Sequence, residues 1–431
     1  MYLPQPVRDV ISRLQDCGFS AYAVGGCVRD SLMGRTPGDY DVTTSARPDD
    51  MLRCFADWRV VETGLQHGTV TVVRGGMNVE TTAYRIDGVY ADHRHPTGVT
   101  FTDSLAEDLS RRDFTVNAMA YSDRDGIVDR FGGQRDLRDR IIRCVGEPEK
   151  RFHEDGLRIL RAMRFAAVLN FTVDPDTARA ALDLAPLLSY ISRERIHVEL
   201  KKLVCGVAAP RILRQFAGIA AILFTDVSEK EICAGADAIE RLETLSPALP
   251  DAISPLCADP GLRFAALFCA FPEPRFRDAI RSLKMARAEE NAIRMCRDPL
   301  PDGLPERGVP EHGIPERGVP ERALYRRLLG KYGMDGAARR ILCDCAAGAA
   351  DEPETCRRLA SLTAVEREHL PNTLHDLAVT GSDLQAQGIT GAQLGKTLAR
   401  LLDAVTADTL PNERDVLLAA AARIALPGGG L

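Results

Sequence analysis

GGCVRDSLMGRTPGDYDVTTSARP, residues 25–48, is the stretch on which the N-terminal fold turns. It begins where the strand-like run SAYAVGG ends, at Gly26. A short helix from Cys27 to Met33 follows, then a strand through Asp39 to Thr44, then a helix opened by Pro48-Asp49-Asp50. Two glycines at a strand–helix turn let backbone amides approach an anion, and a helix start favours negative charge there. Gly25 and Gly26 supply that turn, and Arg29 adds a guanidinium suited to phosphate. Asp39 and Asp41 stand two residues apart, so on a strand both side chains emerge on one face. Carboxylates that close repel each other unless a cation lies between them, and hard oxygen ligands suit Mg²⁺. Two such ions would activate an attacking hydroxyl and neutralise a leaving pyrophosphate.

The surrounding sequence extends this α/β texture over about residues 1–145. An amphipathic helix from Pro6 to Asp16 precedes it. HGTVTVVRGGMNVETTAYR, residues 67–85, holds two β-branched runs joined at Gly75-Gly76, the pattern of a hairpin. Glu80 on its second strand is a candidate third carboxylate, while His67 reads as a turn residue. Asp87 to Thr102 is polar and reads as a mobile loop. From Glu147 the character changes. EPEKRFHEDGLRILRAMRFAAVL places Leu157, Leu160, Ala162, Met163, Ala166 and Ala167 at helical spacing. The remainder lacks strand patterning, so a predominantly α-helical C-terminal two-thirds is expected. Asp155, Arg158, Arg161 and Arg164 recur every third residue, which predicts one polar stripe on a helix face. Residues 303–322 repeat GLPER, GVPEH, GIPER, GVPER; a proline every fifth residue forbids a continuous helix and predicts an exposed spacer.

Composition narrows the function classes. In 431 residues, 55 Lys and Arg stand against 61 Asp and Glu, a formal net charge of −6. That excludes a uniformly basic polyanion binder, but not an enzyme that keeps its cations in one groove. The opening MYLPQPVRDVISRLQDCGF has neither the basic n-region nor the apolar run of a secretory leader, and no stretch approaches ~20 uninterrupted apolar residues. The 12 cysteines include no CxxC, and their only close pair is Cys343 and Cys345. Reduced thiols in a cytoplasmic protein without membrane contact are therefore expected.

GGCVRD followed by DYD resembles the nucleotidyltransferase signature of class II CCA-adding enzymes (tRNA nucleotidyltransferases) and the related bacterial poly(A) polymerases. Further segments match in the family's order. TGLQHGTVTV and VETTAYR resemble the strands after the DxD. EDLSRRDFTVNAMAY at 107–121 resembles the ribose-recognition motif, and DRFGGQRDLRDRIIRCVG the head–neck hinge. RFHEDGLRILRAMRF resembles the nucleobase-selecting helix, and ISRERIHVELKKL at 191–203 the neck motif after it. The likeness is dense over about 20–205, thins through the body, and returns near LAVTGSDL and LPNERD. It implies an α/β nucleotidyltransferase head, a small mixed sheet with helices, followed by a predominantly α-helical neck, body and tail. The expected bounds are head 1–145, neck 146–205, body 206–302, spacer 303–322 and tRNA-binding tail 323–431.

The resemblance also implies a chemistry: template-independent addition and repair of the 3′-terminal CCA of tRNA from CTP and ATP, with Mg²⁺, two ions, at Asp39 and Asp41. Arg112 would touch the nucleotide, with Asp113 and Asn117 as weaker carry-overs. A cation here can meet a triphosphate, and a carboxylate can accept from a ribose hydroxyl. Asp155 and Arg158 would read the base edge: a carboxylate accepts from an exocyclic amine, and a guanidinium donates to a ring nitrogen or carbonyl. Arg161 and Arg164 would hold the triphosphate or steady that pair. Arg193, Arg195, Lys201 and Lys202 either meet RNA phosphates or pair with Glu194 and Glu199. His375-Asp376 lacks the companions of a phosphohydrolase site. Poly(A) polymerases, CC-adding and A-adding enzymes share these motifs, and a non-catalytic tRNA-binding relative would keep the fold without needing Asp39 and Asp41.

Overall fold

The computed structural model describes residues 1–62, 64–87, 99–298 and 321–425. Most of the polar loop after Asp87 and residues 303–320 of the spacer lie outside the described residues. The chain divides into two compact units, Met1–Cys233 with Pro272–Lys284, and Ala234–Phe271 with Met285–Leu431. Residues 206–302, read from sequence as one body, are thus shared between the two.

In the first unit, α1 (Gln5–Asp16) buries Val7, Val10, Ile11 and Leu14, a single stripe at i, i+3, i+4 and i+7. The strands of the head are β1 (Ala21–Val24), β2 (Asp41–Thr44), β3 (Arg59–Val61), β4 (Thr69–Arg74), β5 (Met77–Ala83), β6 (Arg85–Asp87), β7 (Val99–Phe101), β8 (Met119–Ser122) and β9 (Gly126–Asp129). Seven of them form one sheet in the order β3-β4-β5-β2-β1-β8-β9, while β6 and β7 pair separately. Only β2 and β5 run parallel in the large sheet; its other pairs are antiparallel. The β4–β5 hairpin turns at Gly75 and Gly76, both at positive φ (53° and 79°), as a two-residue primed turn requires.

One face of the sheet carries Ala21, Ala23, Val42, Val70, Val72 and Val79 into a core completed by α1 and by Met51 and Cys54 of α3 (Pro48–Cys54). The other face carries Val24 and Ala120, covered by Leu105 and Leu109 of α4 (Leu105–Ser110). Helix α2 (Gly26–Leu32) follows β1, and α5 (Gly133–Asp139) follows β9. Strand β10 (Ile141–Ile142) pairs with β11 (Thr172–Val173) around α6 (Pro148–Glu154) and α7 (Leu157–Leu169). Helices α8 (Pro175–Asp183) and α9 (Arg193–Val204) complete the neck.

Two differences from the sequence reading bear on the site. The strand expected to start at Asp39 begins at Asp41, so Asp39 lies in the loop just ahead of it. The stripe expected from Asp155 to Arg164 is not on one helix. Asp155 ends α6 with extended dihedrals (φ −146°, ψ 105°), and α7 opens after Gly156. Asp-Gly is a turn signal, and here it interrupts an otherwise helical pattern.

The second unit is helical among its described residues. Its longest element, Glu321–Ala346, is interrupted at Gly333, where φ 66° and ψ 179° are open to glycine and not to a side chain. Near its end Leu377, Leu384, Leu401, Val405 and Leu417 form a separate apolar cluster. No described helix is long and apolar enough to cross a membrane.

Candidate active site

The register of the sheet sets the acidic site. Asp41 lies directly beside Glu80 on β5, and Glu80 is opposite Thr71 of β4. On the other side Asp41 faces Val24, which pairs with Ala120. Cross-strand partners point the same way, so Thr71, Glu80, Asp41, Val24 and Ala120 form one row on the face opposite the main core. The Asp41 carboxyl is pushed up to about 6, first by burial, then by repulsion from Asp39 and Glu80, with Arg112 opposing the rise. Three hard-oxygen groups and one guanidinium therefore share this corner.

These donors suit a divalent cation: mutual repulsion is what a bound ion would relieve. Among the described residues no group of three or more His, Cys, Asp or Glu already converges on one point as a ligand cage. The sheet places Asp41 and Glu80 as neighbours, with Asp39 just ahead of β2; Asp39 and Glu80 are exposed.

Gly25 closes the corner. It sits at φ 80° between β1 and α2, and a Cβ there would come 3.1 Å from Nη1 of Arg112. Gly26 begins α2, and a Cβ on it would meet Arg29 Nη2 at 3.7 Å. The absence of side chains at this turn lets guanidinium groups approach the backbone. Arg112 is tethered by Asp108 at 3.5 Å, and its buried Nε has no hydrogen-bond partner among the described residues. Burial pulls its pKa down, against the attraction of Asp108. A cation held this way presents its charge toward Asp41 and Gly25, where a polyphosphate would be drawn.

Asp108 is a residue that sequence reasoning misses. It is fully buried and accepts from Thr43 Oγ1 (3.0 Å), the Arg85 amide (3.4 Å) and the Arg111 guanidinium (2.7 and 3.0 Å). Burial would raise its carboxyl, but Arg111 and Arg112 hold it below the ordinary range. Its signal in the sequence is the spacing to Arg111 and Arg112, three and four residues on, one helical turn away.

A polar chain runs inward from the turn. Arg29 is buried; it grips Asp30 through Nε and Nη2 (2.9 Å each) and donates from Nη1 to Asn117 Oδ1 at 2.6 Å. Asn117 donates to Asp113 at 3.1 Å, and Asp113 receives Arg161 at 2.6 and 2.9 Å. Glu199 of α9 accepts from Arg164 at 2.7 Å and lies 3.7 Å from Arg161. Phe165 is flanked by Arg164, Arg29 and Arg161, at 3.6, 5.1 and 5.4 Å from its ring centre. Burial alone would raise Asp113; Arg161 and Asn117 bring it down to about 2. Arg29, Asn117, Asp113, Arg161 and Arg164 are thereby brought together as one connected network.

Asp155 and Arg158 border that chain: Arg158 helps to lower Asp113, and Asp155 helps to raise Arg161. Arg158 is buried and donates to the carbonyls of Arg151 (3.1 Å) and Arg111 (3.0 Å) and to Glu154 (2.5 Å). Asp155 is held from α9 by Arg195 (2.7 and 3.3 Å). Of the neck charges, Arg193 donates to the Leu223 carbonyl at 2.6 Å, and Glu194 pairs with Lys284 at 3.1 Å. Glu199 is taken by Arg164 and Arg161 of α7. The His67 carbonyl accepts from Arg85 at 2.7 Å at the end of a one-turn 3₁₀ helix. Asp376 caps a turn through Asn372 and Thr373.

The chain is similar to known proteins in sequence and in fold. Residues 21–143 match a family described as the poly A polymerase head domain, and residues 170–227 one described as a probable RNA and SrmB-binding site of polymerase A. The chain is 49% identical over 209 residues to a CCA-adding enzyme of Geobacillus stearothermophilus, covering 48% of this chain and 51% of that one. It is 48% identical over 201 residues to a CCA-adding enzyme of Levilactobacillus brevis, covering 47% of this chain and 50% of that one. In these alignments the chain spans about half the length of the curated relatives it matches. In three dimensions it is similar to the Bacillus stearothermophilus CCA-adding enzyme solved in complex with CTP, with a TM-score of 0.74, 33% identity and 98% of both chains covered. A Thermotoga maritima CCA-adding enzyme complexed with tRNA shares the fold at a TM-score of 0.63 and 20% identity, over 96% of this chain and 94% of that one.

Proposed function

We infer the activity from a plain premise: the chain belongs to the family of class II CCA-adding enzymes and related bacterial poly(A) polymerases. On it we propose that this protein adds and repairs the 3′-terminal CCA of tRNA, using CTP and ATP and releasing pyrophosphate. The observation that carries the proposal is the row Thr71–Glu80–Asp41 on the sheet, with Asp39 ahead of it and Arg112 over the Gly25 turn.

Divalent metal use is general in this family; Mg²⁺, as two ions at Asp39 and Asp41, is the form proposed here. Asp39 and Asp41 would hold it, with Glu80 in support, and when bound it would sharpen the nucleophile and offset charge on the leaving group. The remaining work falls to the chain's own residues. The Gly25 amide is spent on the Met119 carbonyl, so Gly25 and Gly26 contribute by keeping the turn free of side chains beside the phosphates, and Arg112 adds positive charge there. Arg29, Asn117, Asp113, Arg161 and Arg164 keep this wall of the site rigid through their hydrogen bonds, with Asp30 and Glu199 completing the charge balance. Asp155 accepts from the exocyclic amine of cytosine or adenine, and Arg158 donates beside it. Positioning and charge neutralisation accomplish the transfer, with no covalent intermediate on the protein. The helical tail, 323–431, is assigned to tRNA, and a cytoplasmic location accords with that substrate.

Transfer RNAs ending before CCA, after C and after CC, offered each labelled nucleotide separately and together with Mg²⁺, test the proposal. Three additions followed by a stop support it. An open-ended A ladder would instead assign the chain to the poly(A) branch, which the head-domain match keeps as the second reading.

A further inference from the structure

Asp155 owes its posture to a helix forty residues away. Its Oδ1 accepts from the Leu157 amide at 3.1 Å and from Arg195 Nη1 at 3.3 Å, while Oδ2 accepts from Arg195 Nη2 at 2.7 Å. The Asp155 side chain is 17% exposed and Arg195 27%. An ionised carboxylate offers about four acceptor positions and no donor. Three are occupied, and the one left is on Oδ2. The helix break at Gly156 leaves Asp155 off α7, whose first amide, at Leu157, reaches only Oδ1; the fork of Arg195 is what holds the second oxygen.

We infer that Arg195 is a positioning residue for base choice: by clamping both oxygens of Asp155 it leaves one acceptor, aimed in one direction, for the exocyclic amine of the incoming nucleotide. This rests on the reading of Asp155 as a base reader. Cytosine and adenine carry an amine at that edge, whereas uracil and guanine carry a carbonyl, which meets an acceptor-only group as lone pair against lone pair. Without the fork of Arg195 the carboxylate keeps only the Leu157 amide on Oδ1, Oδ2 is no longer fixed, and a water or a second rotamer can accommodate the carbonyl. The guanidinium matters as a planar two-point clamp; a lysine ammonium is a single point charge and reproduces only part of it.

The experiment measures kcat/KM for CTP, ATP, UTP and GTP on tRNAs ending before CCA and after CC, in the full chain and in Arg195→Met, Arg195→Lys, Asp155→Asn and the Arg195→Met/Asp155→Asn double variant. Thermal unfolding of each is followed in parallel. Preference for CTP over UTP, and for ATP over GTP, falls roughly tenfold or more in Arg195→Met and less in Arg195→Lys. The double variant is no less selective than Asp155→Asn alone, because Arg195 acts through Asp155. Unchanged selectivity in Asp155→Asn would sink the base-reader reading, and this inference with it. Altered selectivity in Asp155→Asn with unchanged selectivity in Arg195→Met overturns the inference alone. Should Arg195→Met not fold, Arg195→Lys decides: wild-type selectivity there refutes the clamp.

Discussion

Replacing Asp113 by asparagine removes one charge from the middle of the polar network while keeping its shape. The amide oxygen introduced by Asp113→Asn would still accept from the Phe114 amide and from Asn117, so the loss is confined to the pairing with Arg161. Asp113 is 8% exposed, and its carboxyl is lowered from an ordinary 3.8 to about 2: burial pushes it up, and Arg161, Asn117 and Arg158 together outweigh that. That shift corresponds to roughly 2 kcal/mol of folding stability at pH 7. Breaking a fully buried pair can cost ~3–5 kcal/mol, but the Arg161 side chain is 32% exposed and regains water, so the lower figure applies. A carboxyl depressed in the folded state stabilises above its unfolded pKa and loses that contribution as the pH falls toward its folded pKa. The window here is about pH 4 down to about 2. The difference between wild type and Asp113→Asn should be about 2 kcal/mol at pH 7 and about 1 kcal/mol at pH 3. Trp58, the only tryptophan, lies in the same compact unit, so its fluorescence during urea unfolding at pH 7, 5, 4 and 3 reports the relevant transition. A difference that stays constant, or grows, on acidification would refute the argument.

Asp41→Asn should stop nucleotide incorporation yet stabilise the head by ~1–3 kcal/mol at pH 7. Burial, then Asp39 and Glu80, raise Asp41 to about 6, so keeping it charged opposes folding; the gain should vanish near pH 4, where wild-type Asp41 is protonated. Urea melts across pH 4–7 check this, and a destabilised variant at pH 7 would contradict it. Gly25→Ala combines a positive φ with a Cβ 3.1 Å from Arg112; it should raise KM for the nucleotide about tenfold and cost ~1 kcal/mol or more, read from steady-state kinetics and melting. In the second unit, a Cβ at Gly330 would sit 1.9 Å from the Asn372 carbonyl, so Gly330→Ala should lower stability by more than ~2 kcal/mol in calorimetry.

The Gly-Gly turn, the hairpin at Gly75-Gly76 and the helical C-terminal part are legible because each rests on local pattern. What stays illegible is non-local. Glu80 is a neighbour of Asp41 only because β5, reached after β3 and β4, inserts parallel to β2. Asp108 gives no sign of being fully buried, since a charged helix start reads as surface until Thr43 and two arginines are placed around it. Arg195 is visible as one of several neck cations, but its partner lies on another element. The break before α7 escapes the sequence reading for a different reason: the periodicity of 157–169 is strong enough to draw the preceding Asp-Gly into an imagined helix, although that dipeptide signals a turn.

The acidic row and the main core occupy the two sides of the same strands. Asp41 alternates with Val42, and Glu80 with Val79, so a one-residue slip of either strand would exchange acid for hydrocarbon on both faces. Residues that never meet a nucleotide, such as Val42, Val72 and Val79, therefore index the site as the teeth of a gear index its partner. Variation can explore the polar side, changing what is bound and how tightly, while the apolar side preserves the alignment of the acids. A conservative cavity at Val79 should disturb chemistry more than many bolder changes among the exposed residues around it.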